Sequence, residues 1–141
     1  MTQTAPTPIA HIMEREIQRF VERAAKISSS ALYRNRRAST RYHRAVPILY
    51  ARLDAGAHHD ESATLQDVSS DGLAFYCDHG LSVGSILAVK LFWSDTEAHR
   101  VPAIVRHCTI TQQGFLIGAE FAVNHPDACR LIESQPPSWY G

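Results

Sequence analysis

The chain has no excess of either charge: fourteen Lys and Arg offset fourteen Asp and Glu over 141 residues. That balance argues against bulk nucleic-acid binding, and no DNA partner is expected. No apolar run approaches the roughly 20 residues needed to cross a bilayer, so membrane insertion is not expected either. The opening Met1-Thr2-Gln3-Thr4-Ala5-Pro6-Thr7-Pro8 has no basic head followed by an apolar block. This argues against a signal peptide and predicts a cytoplasmic protein. Cysteine is scarce. Cys77, Cys108 and Cys129 show no CxxC spacing and, being three, cannot all pair within one chain, so free thiols in a reducing compartment are expected.

Catalytic signatures are also missing. There is no G-x-S-x-G elbow and no catalytic glycine-rich loop. Ser69 has Asp67 nearby but no base to activate it, and His107 and Cys108 are neighbours on a predicted strand, facing opposite sides. His58, His59, Asp60 and Glu61 sit together in a predicted hairpin loop. A metal site draws its ligands from rigid elements, so this cluster is read as a solvated turn. Neither an enzyme nor a cofactor is expected.

What the chain does have falls into three zones. From Thr7 to about Ser28 the pattern is helical, with Thr7 as cap and Pro8 in the first turn. Ala10, Met13, Ile17, Phe20, Ala24 and Ile27 alternate spacings of three and four, leaving Arg15, Glu16, Arg19, Glu22, Arg23 and Lys26 outside the stripe. Such a stripe must be covered, either by the chain's own domain or by another subunit or partner. Residues 28–40 read as helix end and then linker. Beyond them the period becomes two. Val46, Ile48 and Tyr50 alternate with Pro47, Leu49 and Ala51, with Pro47 favouring an edge or a strand start. Further strands are predicted over Ala63 to Val68, Leu73 to Cys77, Ile86 to Trp93, Val101 to Ile110 and Phe115 to Val123. About six short strands with regular turns predict an all-β barrel or sandwich. A short helix from Pro126 to Glu133 follows, and Pro136-Pro137 makes the tail unsuited to helix.

Two clusters remain. Arg34, Arg36, Arg37, Arg41 and Arg44 fall within eleven residues uninterrupted by any acid or lysine. Arginine offers a planar fork for phosphates and guanine edges and a flat face for stacking. Within the run, Arg37 and Arg41 form R-x-x-x-R, preceded by Arg36. A register using Thr40 and Arg44 would leave the first position non-basic. The second cluster is Asp67-Val68-Ser69-Ser70-Asp71-Gly72, a complete D-x-S-x-x-G. Alone it reads as a β-turn with Asp opening it and Gly supplying positive φ.

In this order, with the strand pattern that follows, the two motifs resemble the signatures of the PilZ family. Val46-Pro47-Ile48, the turn Leu81 to Gly84, and Gly118-Ala119-Glu120-Phe121 are similar to further features of that family. The resemblance covers Arg36 to Val123. It implies a six-stranded antiparallel β-barrel over 34–124, to which the residue pattern adds an N-terminal amphipathic helix and linker over 1–33 and a short C-terminal helix and tail over 125–141. It also implies a receptor for the second messenger cyclic di-GMP, with Arg36, Arg37, Arg41, Asp67, Ser69 and Gly72 as ligand-binding residues. On that reading the arginines grip phosphate or guanine, and Arg36 bears on whether one ligand or a stacked pair is held. Asp67 accepts from the guanine N1–H and amino group, Ser69 donates its hydroxyl, and Gly72 lets the backbone come close or holds the turn. Output would pass to a protein partner or through self-association of the N-terminal helix. A PilZ-like interaction adaptor that binds no nucleotide is the alternative.

Overall fold

The 3.6-residue stripe and the period-2 segments both find their partners in a computed structural model, which describes residues 8–27, 33–34, 40–53, 60–95 and 99–133. Helix α1 (Pro8–Ile27) opens on the proline expected in its first turn. The cap expected at Thr7 lies outside the described residues. Strands follow as β1 (Tyr33–Arg34), β2 (Thr40–His43), β3 (Pro47–Arg52), β4 (Glu61–Val68), β5 (Gly72–Cys77), β6 (Ile86–Lys90), β7 (Val101–Thr111) and β8 (Gly114–Phe121), and the chain turns into α2 (Pro126–Glu133).

Six strands close on themselves. The antiparallel order β4-β3-β6-β7-β8-β5 is completed by a β4–β5 pairing, so the barrel leaves no edge among these six. Pro47, which has no N–H to give, is exposed at the first position of β3. Inward positions form one core, with Ile48, Tyr50, Val68, Leu73, Phe75, Leu87, Val89, Val101 and Ile117 all fully buried.

Helix α1 joins that same core through Met13, Ile17, Phe20 and Ala24, so its apolar stripe is covered by its own barrel. Burying a large apolar side chain contributes about 1.5–3 kcal/mol, which makes α1 part of the fold. Phe20 meets Phe92 edge-on at 5.1 Å. The same contact explains why β6 stops at Lys90 rather than Trp93. Phe92 turns toward the helix, and a tight turn closes with the Asp95 N–H donating to the Phe92 carbonyl at 3.0 Å.

Residues 40–43, the last of the expected linker and three residues beyond it that no expected strand covers, form β2, which pairs with β4 through Tyr42↔Val68 and His43↔Asp67. Its side chains show no buried and exposed alternation. The strand exists because β4 extends past the end of β3 and offers unpaired backbone, which a period-2 reading of side chains does not register.

Candidate functional site

Strands β4 and β7 each carry a bulge, and the two bulges build the site. On β4, Leu65 pairs with Phe75 inside the barrel, but the register slips and Asp67 pairs with Ala74. Without the extra residue at Gln66, Asp67 would share the inward face of Leu65. The bulge turns it outward and lets Val68 resume the inward pattern opposite Leu73. On β7, Val105 pairs with Ala119 inside, the register slips at Arg106, and His107 pairs with Gly118. His107 is exposed, while its neighbour Cys108 packs against the core.

Because Ala74 also pairs with Gly118, the row Asp67–Ala74–Gly118–His107 runs straight across four strands on the outer face. Two small residues lie at its centre and two polar ones at its ends. Together with Arg41, Asp71, Gly72, Arg106 and Glu120 they border an open cleft of about 520 Å³.

The two sequence motifs meet in this cleft. Arg41 on β2 donates from Nη1 to Asp67 Oδ1 at 2.6 Å. Asp67 Oδ2 has no hydrogen-bond partner among the described residues. Ser69 is fully buried beneath the cleft surface. Its Oγ accepts from the Asp71 N–H at 3.1 Å, and its own N–H donates to the Gly72 carbonyl at 2.9 Å. The turn is thus held by the residue types its motif specifies. The Asp71 carbonyl in turn accepts from the Phe121 N–H at 2.8 Å, tying the turn to β8.

Gly72 owes its place to space. A Cβ there would lie 2.3 Å from the Ala119 carbonyl oxygen. The expectation of a positive φ at this glycine is not met: among the described residues the positive-φ glycines are Gly84 and Gly114. Arg36 and Arg37, the other expected ligand residues, lie outside the described residues.

Several cleft residues escaped the sequence reading. Arg106 is paired with Glu120, at 2.8 Å from Nη2 to Oε1. His107 reaches over Gly118, where a Cβ would fall 2.0 Å from its Nε2. Two consecutive exposed residues on a strand signal a bulge only once the register is known. Asp60 and Glu61 sit apart from the cleft's chemistry. Asp60 takes a bidentate pair from buried Arg100 at 2.5 and 2.7 Å, and Glu61 lies 3.1 Å from His79 Nε2. His58 and His59 lie outside the described residues.

A second cleft, of about 620 Å³, lies between α1 and the turn after β6. Arg19 is paired with Glu16 at 2.8 Å and sits 4.3 Å over the Phe92 ring. Arg23, Lys26 and Arg44 meet no carboxylate among the described residues. Burial first, and the Arg23 guanidinium second, lower the Arg44 pKa. Trp93 stands 49% exposed at the rim. No helix among the described residues is long and apolar enough to cross a membrane.

A PilZ domain model matches residues 35–135. No curated protein matches the sequence. Among solved structures, the PilZ domain with c-di-GMP of YcgR from Escherichia coli is 14% identical, with 70% of this chain and 87% of that chain covered and a TM-score of 0.49. The K. pneumonia MrkH–c-di-GMP complex is 19% identical over 70% of this chain and 50% of its own, with a TM-score of 0.49. The Bacillus subtilis inhibitor of motility (MotI/DgrA) is 16% identical over 70% and 49%, with a TM-score of 0.46. This chain therefore spans about half the length of the latter two. With the family model covering well over half of the sequence, from just after the first arginine of the cluster to the end of α2, the chain belongs to the PilZ domain family.

Proposed function

We propose that this chain is a receptor for cyclic di-GMP that transmits binding through a change in its protein contacts. One observation carries the reading: the arginine motif and D-x-S-x-x-G, far apart in sequence, meet in one outward cleft through Arg41 and Asp67. Arg36, Arg37 and Arg41 supply forks for the phosphates and the guanine Hoogsteen edge. Asp67 accepts from guanine N1–H and the amino group, an edge adenine does not reproduce. Ser69, fully buried, fixes the turn through the hydrogen bond its Oγ accepts from the Asp71 N–H. Gly72 keeps the turn close to β8.

Calorimetric titration of cyclic di-GMP into the purified protein tests this. Binding that both Arg41→Ala and Asp67→Ala weaken by about tenfold or more, roughly 1.4 kcal/mol, is the expected result. Absence of heat at two temperatures removes the receptor reading.

The transmission half rests on where α1 lies. In the chain only the segment 28–39, which includes β1, separates α1 from β2, and Ser70 of the motif turn shares a hollow with Glu14, Ile17, Gln18, Val21 and Glu22 of the helix. A ligand that engages Arg41 and the turn therefore acts beside the segment that follows the helix and beside the helix's central turns, and a protein partner reads the change. Hydrogen exchange with no ligand-dependent protection anywhere in residues 7–44 would remove this part.

A second reading, an adaptor that binds no nucleotide, is favoured by one feature, Arg23, Lys26 and Arg44, which meet no carboxylate among the described residues, beside exposed Trp93. Such an adaptor tolerates alanine at Arg37, Arg41 and Asp67 without losing its partner.

A further inference from the structure

The second cleft, between α1 and the turn after β6, lies outside both motifs and shares no lining residue with the first. Its charges fall into two sets. Glu16 pairs with Arg19 at 2.8 Å, Asp95 lies 4.0 Å from the same guanidinium, and Glu22 accepts from Gln18 Nε2 at 3.2 Å. Arg23, Lys26 and Arg44, in contrast, meet no carboxylate among the described residues. Arg23 and Lys26 are exposed on neighbouring positions of one face of α1, and Arg44 joins them from the connection between β2 and β3.

Arg44 is the most constrained of the three. Its guanidinium lies 5.9 Å from the centre of the Phe20 ring, and its Nε is buried with no hydrogen-bond partner among the described residues. Burial and the Arg23 guanidinium together lower its pKa. Holding two guanidiniums close, one with a buried unbonded N–H, is unfavourable, and a carboxylate arriving beside them relieves both effects.

The rest of the cleft indicates what accompanies that carboxylate. Val46, Pro47, Leu91 and Phe92 line it, and Trp93 stands 49% exposed at the rim. An exposed tryptophan beside arginines is the composition of a protein-contact hot spot. A nucleic acid or an anionic bilayer would bring its dense charge onto Glu22 and Asp95, which belong to the same wall. A free phosphate would leave the apolar surface unused. A short acidic stretch with an apolar side chain uses both parts of the cleft.

We infer that this cleft is a docking site for an acidic segment of a partner protein, with its carboxylates on Arg23, Lys26 and Arg44 and an apolar side chain against Trp93. The inference goes beyond the nucleotide reading, and since the two clefts share no lining residue, either stands without the other.

Selection of a random peptide library, displayed on phage, against the purified full chain tests it. The expected result is enrichment of sequences that combine aspartate or glutamate with an apolar residue. A synthetic peptide of the enriched sequence should lose about tenfold or more in affinity to Arg23→Glu and to Trp93→Ala, and should bind more weakly as salt is raised. Both positions are exposed, so these variants are expected to fold, and thermal melts matching the wild type check it. No enrichment, enrichment without acidic residues, or an acidic peptide that binds Arg23→Glu as well as wild type overturns the inference. So does binding of inorganic phosphate or of phosphatidylserine vesicles through Arg23 when acidic peptides do not bind. If the peptide results hold while calorimetry finds no cyclic di-GMP binding, the docking site stands and the receptor reading falls alone.

Discussion

Arg41 and Asp67, 26 residues apart in the chain, are joined by a contact of 2.6 Å between Nη1 and Oδ1. The pair is shielded, with side-chain exposures of 21% and 8%, and it clips β2 to the bulged end of β4. Removing one partner strands the other's charge in a place with little water. Arg41→Ala and Asp67→Ala should each lower stability by about 1–3 kcal/mol. The double variant should cost less than the sum of the two, with a coupling of about 0.5–3 kcal/mol. Urea denaturation of the four proteins measures this, and strict additivity would show that the pair contributes nothing.

Gly72 and Gly118 should respond differently to alanine. At Gly72 the new methyl meets backbone, the Ala119 carbonyl oxygen at 2.3 Å. Strand β5 must move away from β8, at a cost of about 1–3 kcal/mol. At Gly118 the methyl meets the end of the His107 side chain, which can rotate into solvent. Gly118→Ala is therefore expected to change stability by less than about 1 kcal/mol. Thermal melts of the two variants, run side by side, give the comparison; equal losses would contradict it.

High pH should unfold the protein through two groups in the barrel. Burial raises the pKa of Tyr50 well above its ordinary value near 10, with Cys77 and Glu61 adding to the effect. Burial likewise raises the Cys77 thiol above its ordinary value, although the neighbouring Tyr50 hydroxyl and the His79 backbone oppose it. Both folded-state values lie above the unfolded ones. Their contribution is therefore complete below about pH 9 and is lost as pH rises, by at most about 1.4 kcal/mol per pH unit for each group. Stability measured from pH 7 to 11 should be flat and then fall, and Tyr50→Phe should shallow the fall. An unchanged slope in that variant would show that other groups control alkaline unfolding.

The thiols should also differ in reactivity. Cys77 and Cys129 are buried, whereas Cys108 is partly accessible. Brief treatment with iodoacetamide at pH 8, followed by mass spectrometry, should label Cys108 first and reach Cys77 only with denaturant.

Helix α1 is predicted to be indispensable to the barrel. Phe20 is 2% exposed and shares the barrel core with Met13, Ile17 and Ala24. Phe20→Ala should cost about 3–5 kcal/mol. A loss typical of a surface position, below about 0.5 kcal/mol, would mean that the helix is only loosely attached.

The sequence alone determined the features that depend on local periodicity and backbone chemistry. The apolar stripe from Ala10 to Ile27, the proline at the helix start, the alternating strands and the short helix at 126–133 were legible because each repeats at the spacing its own hydrogen bonding imposes. The two motifs were legible because their residue types are unusual in combination. The side of the barrel each functional residue faces was decided only in three dimensions. Period-2 counting puts Asp67 with Leu65 and His107 with Val105, both inward, and one extra residue in each strand reverses that. Nor does the local pattern of residues 40–43 make a strand; the unpaired backbone of β4 does. A bulge and a borrowed edge are set by how neighbouring strands fit together, and that information is distributed over the barrel rather than written at the positions it moves.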